Sequence, residues 1–156
     1  MARNWTRTVL AMTAAASAVS LLGAVPASAA ATTRHCVLNS VTGVQHCSSG
    51  TQRSAAVEQE AGQVVQGTFF DGPDYTGNSL TITGPELCKK DGWVNWQFDL
   101  GDDWKNKISS VQPWGDCWVW LYPEPNLGGD RDGPFKENTG NVGSFMDNRT
   151  QSIGFS

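Results

Sequence analysis

The sequence predicts an all-β protein whose main body is a sandwich of two similar halves, preceded by a disulfide-closed hairpin. From Gly67 onward, short apolar alternations are interrupted by Gly, Pro, Asn and Asp, as is typical of short strands joined by tight turns. Two linked sequence motifs occur twice, in the same order, along this part of the chain. Four cysteines are available to cross-link a chain that has room for one domain.

The N-terminal segment has the composition of an export signal. Residues 1–7 carry two arginines and no acid, residues 9–25 are an apolar run, and small residues follow at positions 27–29. The apolar run is short for a membrane-spanning helix, and the small-residue site follows it directly. We therefore predict a signal peptide over residues 1–29 and a secreted protein that has no membrane association after cleavage.

The charge balance argues against two classes of partner. The chain has 15 Asp and Glu against 11 Lys and Arg, and two of the arginines belong to the predicted signal peptide. A mature protein this acidic is not expected to bind nucleic acid or an anionic membrane surface. We expect a monomer whose partner is an extracellular protease or another protein.

The four cysteines predict two disulfides, because an exported protein enters an oxidising compartment. The run between Cys36 and Cys47 predicts a hairpin that turns near Gly43, so we pair these two cysteines and, by remainder, Cys88 with Cys117. Each closure destabilises the unfolded chain by about 3 kcal/mol. The two His-Cys steps of the hairpin do not have the ligand spacing of a closed zinc site.

Three regions follow the signal peptide. Residues 30–66 comprise the cystine hairpin and a polar segment rich in Ala, Glu and Gln, which is a short helix or a linker. Residues 67–114 and 115–156 are the two halves of the β domain. Strands are predicted at 67–70, 79–82, 108–113, 117–122 and 152–155, with weaker ones at 94–98 and 135–136.

The internal repeat is the most informative feature. Phe70-Asp-Gly-Pro-Asp-Tyr-Thr-Gly matches Tyr122-Pro-Glu-Pro-Asn-Leu-Gly-Gly: a ring, four turn-forming residues, an apolar side chain, one residue, then Gly. Each copy predicts a folded hairpin, in which the Gly adopts positive φ and lets a ring lie against it. Further along each half, Asn106-Lys-Ile-Ser-Ser-Val matches Asn148-Arg-Thr-Gln-Ser-Ile. Two copies of two linked motifs are hard to obtain by chance.

At these residues the chain resembles the βγ-crystallin family. That family repeats an aromatic, four residues, an aromatic, one residue and Gly, and later in each Greek key carries Asn/Asp, Asn/Asp, two variable residues, Ser/Thr and Ser. The resemblance covers residues 67–156. It implies two four-stranded Greek keys packed as a β-sandwich. It also implies calcium sites, because many bacterial members bind the ion with the second motif.

The calcium motif departs from the family pattern once in each half. Lys105 occupies a position where the family has Asn or Asp, and Gln151 occupies the position of a hydroxyl. The resemblance leaves four candidate calcium ligands: Asn106, Ser109, Asp147 and Asn148. Calcium requires six to eight oxygens, so we expect at most weak binding. Alternatively, the last serine of each motif, Ser110 and Ser152, ties down its folded hairpin by hydrogen bonds.

Four tryptophans are candidates for partner binding, and each has a structural alternative. The first half is longer than the second, and its extra segment contains Trp93 and Trp96 beside Cys88. These rings form a recognition loop or cover one end of the sandwich. Trp118 and Trp120 alternate with apolar residues on a predicted strand. They form a row on the outside of the sandwich or belong to its core.

Catalysis is not supported by the residue pattern. No serine has an evident histidine partner, since both histidines lie inside or beside the cystine hairpin, and the thiols are predicted to be oxidised. Adjacent carboxylates such as Asp102 and Asp103 lack the separation across a cleft that glycoside hydrolysis requires. We expect a non-enzymatic protein with no cofactor other than weakly bound Ca²⁺.

Three functions remain open. The first is a secreted structural or antimicrobial βγ-crystallin-like module with weak calcium binding. The chain also resembles the small secreted bacterial metalloproteinase inhibitors, which are single Greek-key domains with two disulfides, and this resemblance implies peptidase inhibition. An inhibitor needs a rigid exposed loop near a cystine, and residues 88–96 are the candidate. The third is a carbohydrate-binding module that uses the row of tryptophan rings.

Overall fold

A computed structural model gives the structure of residues 32–50 and 62–156. The predicted signal peptide and most of the predicted linker lie outside these residues. No helix in the described part of the chain is long and apolar enough to cross a membrane. The strands of the described part are β1 (Arg34–Asn39), β2 (Gln45–Ser49), β3 (Val64–Phe70), β4 (Ser79–Gly84), β5 (Trp96–Asp99), β6 (Ser110–Pro113), β7 (Val119–Tyr122), β8 (Asp132–Phe135) and β9 (Ser152–Phe155).

The strands form two sheets, and the all-β prediction is confirmed. The first sheet has five strands in the order β2-β1-β4-β3-β6, and the second has four in the order β5-β9-β7-β8. The cystine hairpin is not an appendage to the sandwich, because β1 pairs in parallel with β4 and so extends the first sheet. Cys36 and Leu38 lie in register with Leu80 and Ile82, and all four side chains are buried. This shared burial explains why the hairpin joins the sheet.

Each half of the β domain is a Greek key that gives its third strand to the other sheet. In the first half, β5 pairs with β9 in the second sheet. In the second half, Thr139 bridges Val111 in the first sheet, with reciprocal N–H to C=O distances of 2.9 and 3.0 Å. The two keys are therefore interlocked, and each sheet contains residues from both.

The core lies between the two sheets and follows the two-residue period of the strands. The first sheet contributes Cys36, Leu38, Phe69, Leu80, Ile82 and Val111, and the second contributes Val119, Leu121, Ile153 and Phe155. Loops close the ends of the sandwich with Leu100, Trp104, Ile108, Val142 and Met146. Each fully buried large apolar side chain stabilises the fold by about 1.5 to 3 kcal/mol.

The strand predictions differ from the structure mainly at the edges of elements. Strand β9 spans the predicted 152–155, whereas β3 begins at Val64, inside the segment predicted to be helix or linker. The register of β3 against β4 shifts between Val65 and Gly67, so Gln66 lies in a bulge, which breaks the alternation that marks a strand. Strand β5 joins β4 through residues 85–95, which we call the inserted loop.

Candidate functional site

The inserted loop is fastened to the turn that precedes β7. Both predicted disulfides are confirmed, and one of them, Cys88–Cys117, joins the loop to this turn. The N–H of Cys88 also donates to the carbonyl of Gly115 at 2.9 Å. Lys90 Nζ lies 2.7 Å from Asp116 Oδ1, although both groups are about half exposed, so this ion pair adds less than about 1 kcal/mol. The covalent link and the backbone hydrogen bond therefore position the loop.

The side chain of Trp93 is exposed to solvent, while the backbone on both sides of it is held in place. Trp93 is 79% exposed, and its backbone N–H donates to Asp91 Oδ1 at 2.9 Å, which forms a local turn. On the other side, the N–H of Asn95 donates to the carbonyl of Phe155 at 2.8 Å, and Val94 packs over the backbone of β9. The backbone is thus held on both sides of a large apolar side chain that contacts little of its own molecule.

The structure places Trp96 with the core, so this ring is not a free recognition side chain. Its indole lies 5.3 Å from the Phe155 ring, centroid to centroid, and packs against the core cluster. The ring also crosses Gly84, where any Cβ would collide with it. Of the two tryptophans predicted for the loop, Trp93 is the exposed one and Trp96 is partly buried against the core.

Trp118 and Trp120 lie on the outer face of the second sheet. Val119 and Leu121, which lie on either side of Trp120 in the sequence, are both fully buried between the sheets. Successive side chains of a strand point to opposite faces, so Trp118 and Trp120 form the predicted row on the outside, and Tyr122 continues it.

This row is nevertheless covered. Trp120 is only 8% exposed, because the Arg131 guanidinium carbon lies 3.9 Å from its ring centroid and its indole N–H donates to Ser156 Oγ at 3.1 Å. Lys136 Nζ lies 3.7 Å from the ring centroid of Trp118, which is half-buried. Each indole therefore has a cation over its face and does not offer a bare stacking surface.

A serine–histidine contact that the sequence analysis did not find lies on the outer face of the first sheet. His35 Nδ1 lies 2.7 Å from Ser79 Oγ, and His35 Nε2 lies 3.3 Å from Thr33 Oγ1. The residues are adjacent because β1 and β4 pair in parallel. The other nitrogen of the imidazole faces a hydroxyl where a catalytic triad has a carboxylate, and both side chains are buried. The arrangement is that of a structural hydrogen bond.

The two folded hairpins are locked in the same way. In the first key, Ser110 Oγ donates to the carbonyl of Gly72 at 2.7 Å and accepts from the N–H of Tyr75 at 3.1 Å. The equivalent contacts in the second key are those of Ser152 Oγ with the carbonyl of Glu124 at 2.6 Å and the N–H of Leu127 at 3.0 Å. Both serines are fully buried, which supports the structural role considered for them.

Backbone hydrogen bonds also join the two candidate calcium motifs to each other. The N–H of Asn106 donates to the carbonyl of Thr150 at 2.8 Å, and the N–H of Asn148 donates to the carbonyl of Ile108 at 3.0 Å. Both asparagines adopt the left-handed conformation, with φ of 58° and 56°, which asparagine tolerates better than most residues. Three features identify the fold. Two Greek keys pack against each other, each pairs its third strand with the other sheet, and a buried serine fixes each folded hairpin with the same hydrogen bonds. It is a βγ-crystallin fold.

Solved structures of βγ-crystallin domains align with a little over half of the chain. A domain from Clostridium beijerinckii is 17% identical, with a TM-score of 0.46, over 58% of this chain and 95% of that one. A domain from Flavobacterium johnsoniae is 18% identical, with a TM-score of 0.44, over 58% and 92%. The N-terminal domain of protein S is 20% identical, with a TM-score of 0.45, over 58% and 94%. No family model and no curated protein matches the sequence.

The two candidate calcium motifs contain few charged ligands. Within residues 32–50 and 62–156, no group of three or more His, Cys, Asp or Glu side chains could hold a metal ion. Ser109 Oγ donates to the carbonyl of Asp71 at 3.3 Å, so its hydroxyl is already engaged. Lys105 Nζ lies 3.2 Å from Asp102 Oδ1, which puts an ammonium group beside the first motif. Asp147 is the only carboxylate among the four predicted ligands, which is too few for a tight site.

One surface tryptophan of this βγ-crystallin fold was not predicted as a binding residue. Trp114 is 44% exposed, and its indole N–H donates to Thr68 Oγ1 at 3.2 Å on the outer face of the first sheet. It follows β6 immediately and precedes a Gly-Asp turn. That position at a strand end was the available sequence signal for an exposed ring.

Proposed function

We propose that this protein is a secreted, non-catalytic inhibitor of an extracellular peptidase and that the inserted loop is its inhibitory segment. The observation that carries the proposal is the 79% exposure of Trp93 on a loop anchored at both ends. Tryptophan is among the residues most enriched at the centres of protein interfaces. The two disulfides suit a protein that works outside the cell.

The anchors matter because binding a mobile loop costs conformational entropy. Cys88–Cys117 restricts the first part of the loop, and the hydrogen bond from Asn95 to Phe155 restricts the last. A loop that is already held in one conformation loses little freedom when it enters a protease cleft. The exposed indole then supplies contact area that is buried only in the complex.

The two tryptophans of this segment have different expected roles, one in folding and the other in binding. Trp96 packs against the core, whereas Trp93 makes its backbone hydrogen bond to Asp91 and projects outward. Trp96→Ala should therefore lower the free energy of unfolding by about 3 kcal/mol, as other large-to-small core changes do. Trp93→Ala should change it by less than about 0.5 kcal/mol, as for other exposed positions. Urea unfolding of the two variants measures both values.

The test is inhibition of a panel of secreted bacterial metalloproteases and serine proteases by the protein with both disulfides intact. We expect at least one enzyme to be inhibited at micromolar concentration or below, and Trp93→Ala to weaken that inhibition about 30-fold, which corresponds to an interface hot spot. Trp114→Ala is the matched control, because it removes an exposed indole from the other sheet. Absence of inhibition across the panel, or equal inhibition by Trp93→Ala, would contradict the proposal and favour a structural or antimicrobial role.

A further inference from the structure

The outer face of the first sheet carries a groove that the inhibitor proposal does not use. Four neighbouring strands contribute one cross-strand row in register, which consists of Val37, Thr81, Thr68 and Gln112. The groove has a volume of about 250 Å³. Trp114 lies at one side of it and His35 at the other. Pockets for drug-sized ligands span about 300 to 1,000 Å³, so this groove suits a smaller molecule or one segment of a chain.

The hydroxyl groups in this groove are not all satisfied by one another. The indole N–H of Trp114 donates to Thr68 Oγ1, and the hydroxyl oxygens of Thr68 and Thr81 lie 3.2 Å apart. Only one of these two hydroxyls donates to the other, so the second O–H has no acceptor within the pair. The side-chain amide of Gln112 makes no hydrogen bond to the described residues that line the groove. The groove therefore offers both donors and acceptors to a ligand.

The groove is also uncharged. The residues that line it include no Asp, Glu, Lys or Arg. An ionic ligand would lose its hydration without gaining an opposite charge, which is unfavourable. A ligand that fits must be neutral, must carry hydroxyl groups that both donate and accept, and must have an apolar face for the exposed part of the Trp114 ring.

We propose that this groove binds a neutral saccharide, with the Trp114 ring under the C–H face of a sugar and Thr68, Thr81 and Gln112 bonding its hydroxyls. The site differs from the predicted tryptophan row, whose indoles are covered by Lys136 and Arg131. It also differs from the inserted loop, because none of the residues that line the groove belongs to that loop. Saccharide binding and peptidase inhibition can therefore be tested independently.

The experiment is calorimetric titration of the full mature protein with neutral tetrasaccharides of N-acetylglucosamine and of β-1,4-glucose, with tetragalacturonate as the anionic comparison. We expect a dissociation constant in the millimolar range or tighter for a neutral sugar, and weaker binding of the anionic one. Trp114→Ala should weaken binding at least tenfold. Thr81→Val, which keeps the side-chain shape, should weaken it several-fold, and Trp93→Ala should leave it unchanged.

A second measurement keeps the proposal testable if Trp114→Ala does not fold. In the wild-type protein, the indole N–H resonance of Trp114, assigned with Trp114→Phe, should shift on titration with the sugar that binds. No heat and no shift with either neutral sugar at millimolar concentration would overturn the proposal. Binding that survives both Trp114→Ala and Thr81→Val, or that favours tetragalacturonate, would overturn it as well.

Discussion

The first Greek key reaches its third strand through a disulfide-tethered loop, whereas the second reaches its own within a few residues of β8. The third strand of the first key is β5, with four residues paired to β9, and that of the second is the single bridge of Thr139 to Val111. Ser110 and Ser152 make the same hydrogen bonds to the folded hairpins of their keys, and the equivalent distances agree within a few tenths of an ångström. The hydrogen bonds that hold the fold are thus present in both keys, and the main difference between the keys is the exposed loop that carries Trp93.

The largest effect is expected from opening the disulfide that only the first key uses. Replacing Cys88 and Cys117 together by Ala should lower the free energy of unfolding by about 3.5 kcal/mol, because the loop that the bond closes is longer than that of Cys36–Cys47. It should also weaken protease inhibition strongly, since the inserted loop loses its anchor. Urea unfolding and the inhibition assay measure the two effects.

The matched control replaces Cys36 and Cys47 by Ala. We expect a destabilisation of about 3 kcal/mol with inhibition by the folded protein retained. If the two double variants lost inhibition equally, the difference between the keys would not be functional.

A smaller loss of stability, equal in the two keys, is expected when the serine hydroxyl that fixes each folded hairpin is removed. Ser110→Ala and Ser152→Ala each leave a buried carbonyl and a buried N–H without their partner, so each should cost about 2 kcal/mol of stability. Thermal or urea unfolding of the two single variants tests this equality. A marked difference between them would show that one hairpin contributes little to the stability of the fold.

The smallest effect concerns calcium. We expect the wild-type protein to bind the ion with a dissociation constant of about 10⁻⁴ M or weaker, because Lys105 and Gln151 each replace a family ligand in its motif. Lys105→Asp removes an ammonium and adds a carboxylate, so it should strengthen binding at the first motif. Calorimetry on chelator-treated protein measures both. Submicromolar affinity of the wild type would contradict the argument from Lys105 and Gln151.

The parts of the molecule that could be predicted are those whose cause is local or repeated. The bounds of β9 follow from a short apolar segment, and both disulfides follow from the hairpin signal around Gly43. The two Greek keys follow from the duplicated hairpin and serine motifs, which place Ser110 and Ser152 against equivalent turns.

The parts that could not be predicted depend on pairing between distant segments. Nothing near His35 indicates that β1 joins β4 in parallel, so the contact of His35 with Ser79 was not foreseen. The cations that cover Trp118 and Trp120 come from the residues immediately before and after β8, whose position over the sheet has no sequence signature. A strand pattern predicts which face a ring occupies but not what lies on top of it.

The exchange of third strands restricts how this protein can be divided. Because β5 completes the second sheet and Thr139 contacts the first, neither half contains all the partners of its own backbone. A gene fragment that encodes one key would yield a chain with unpaired edges, which are prone to aggregation. The two keys therefore have to be encoded together, and a shuffled or truncated library should preserve the fold only when its breakpoints lie outside residues 34–49 and 64–156.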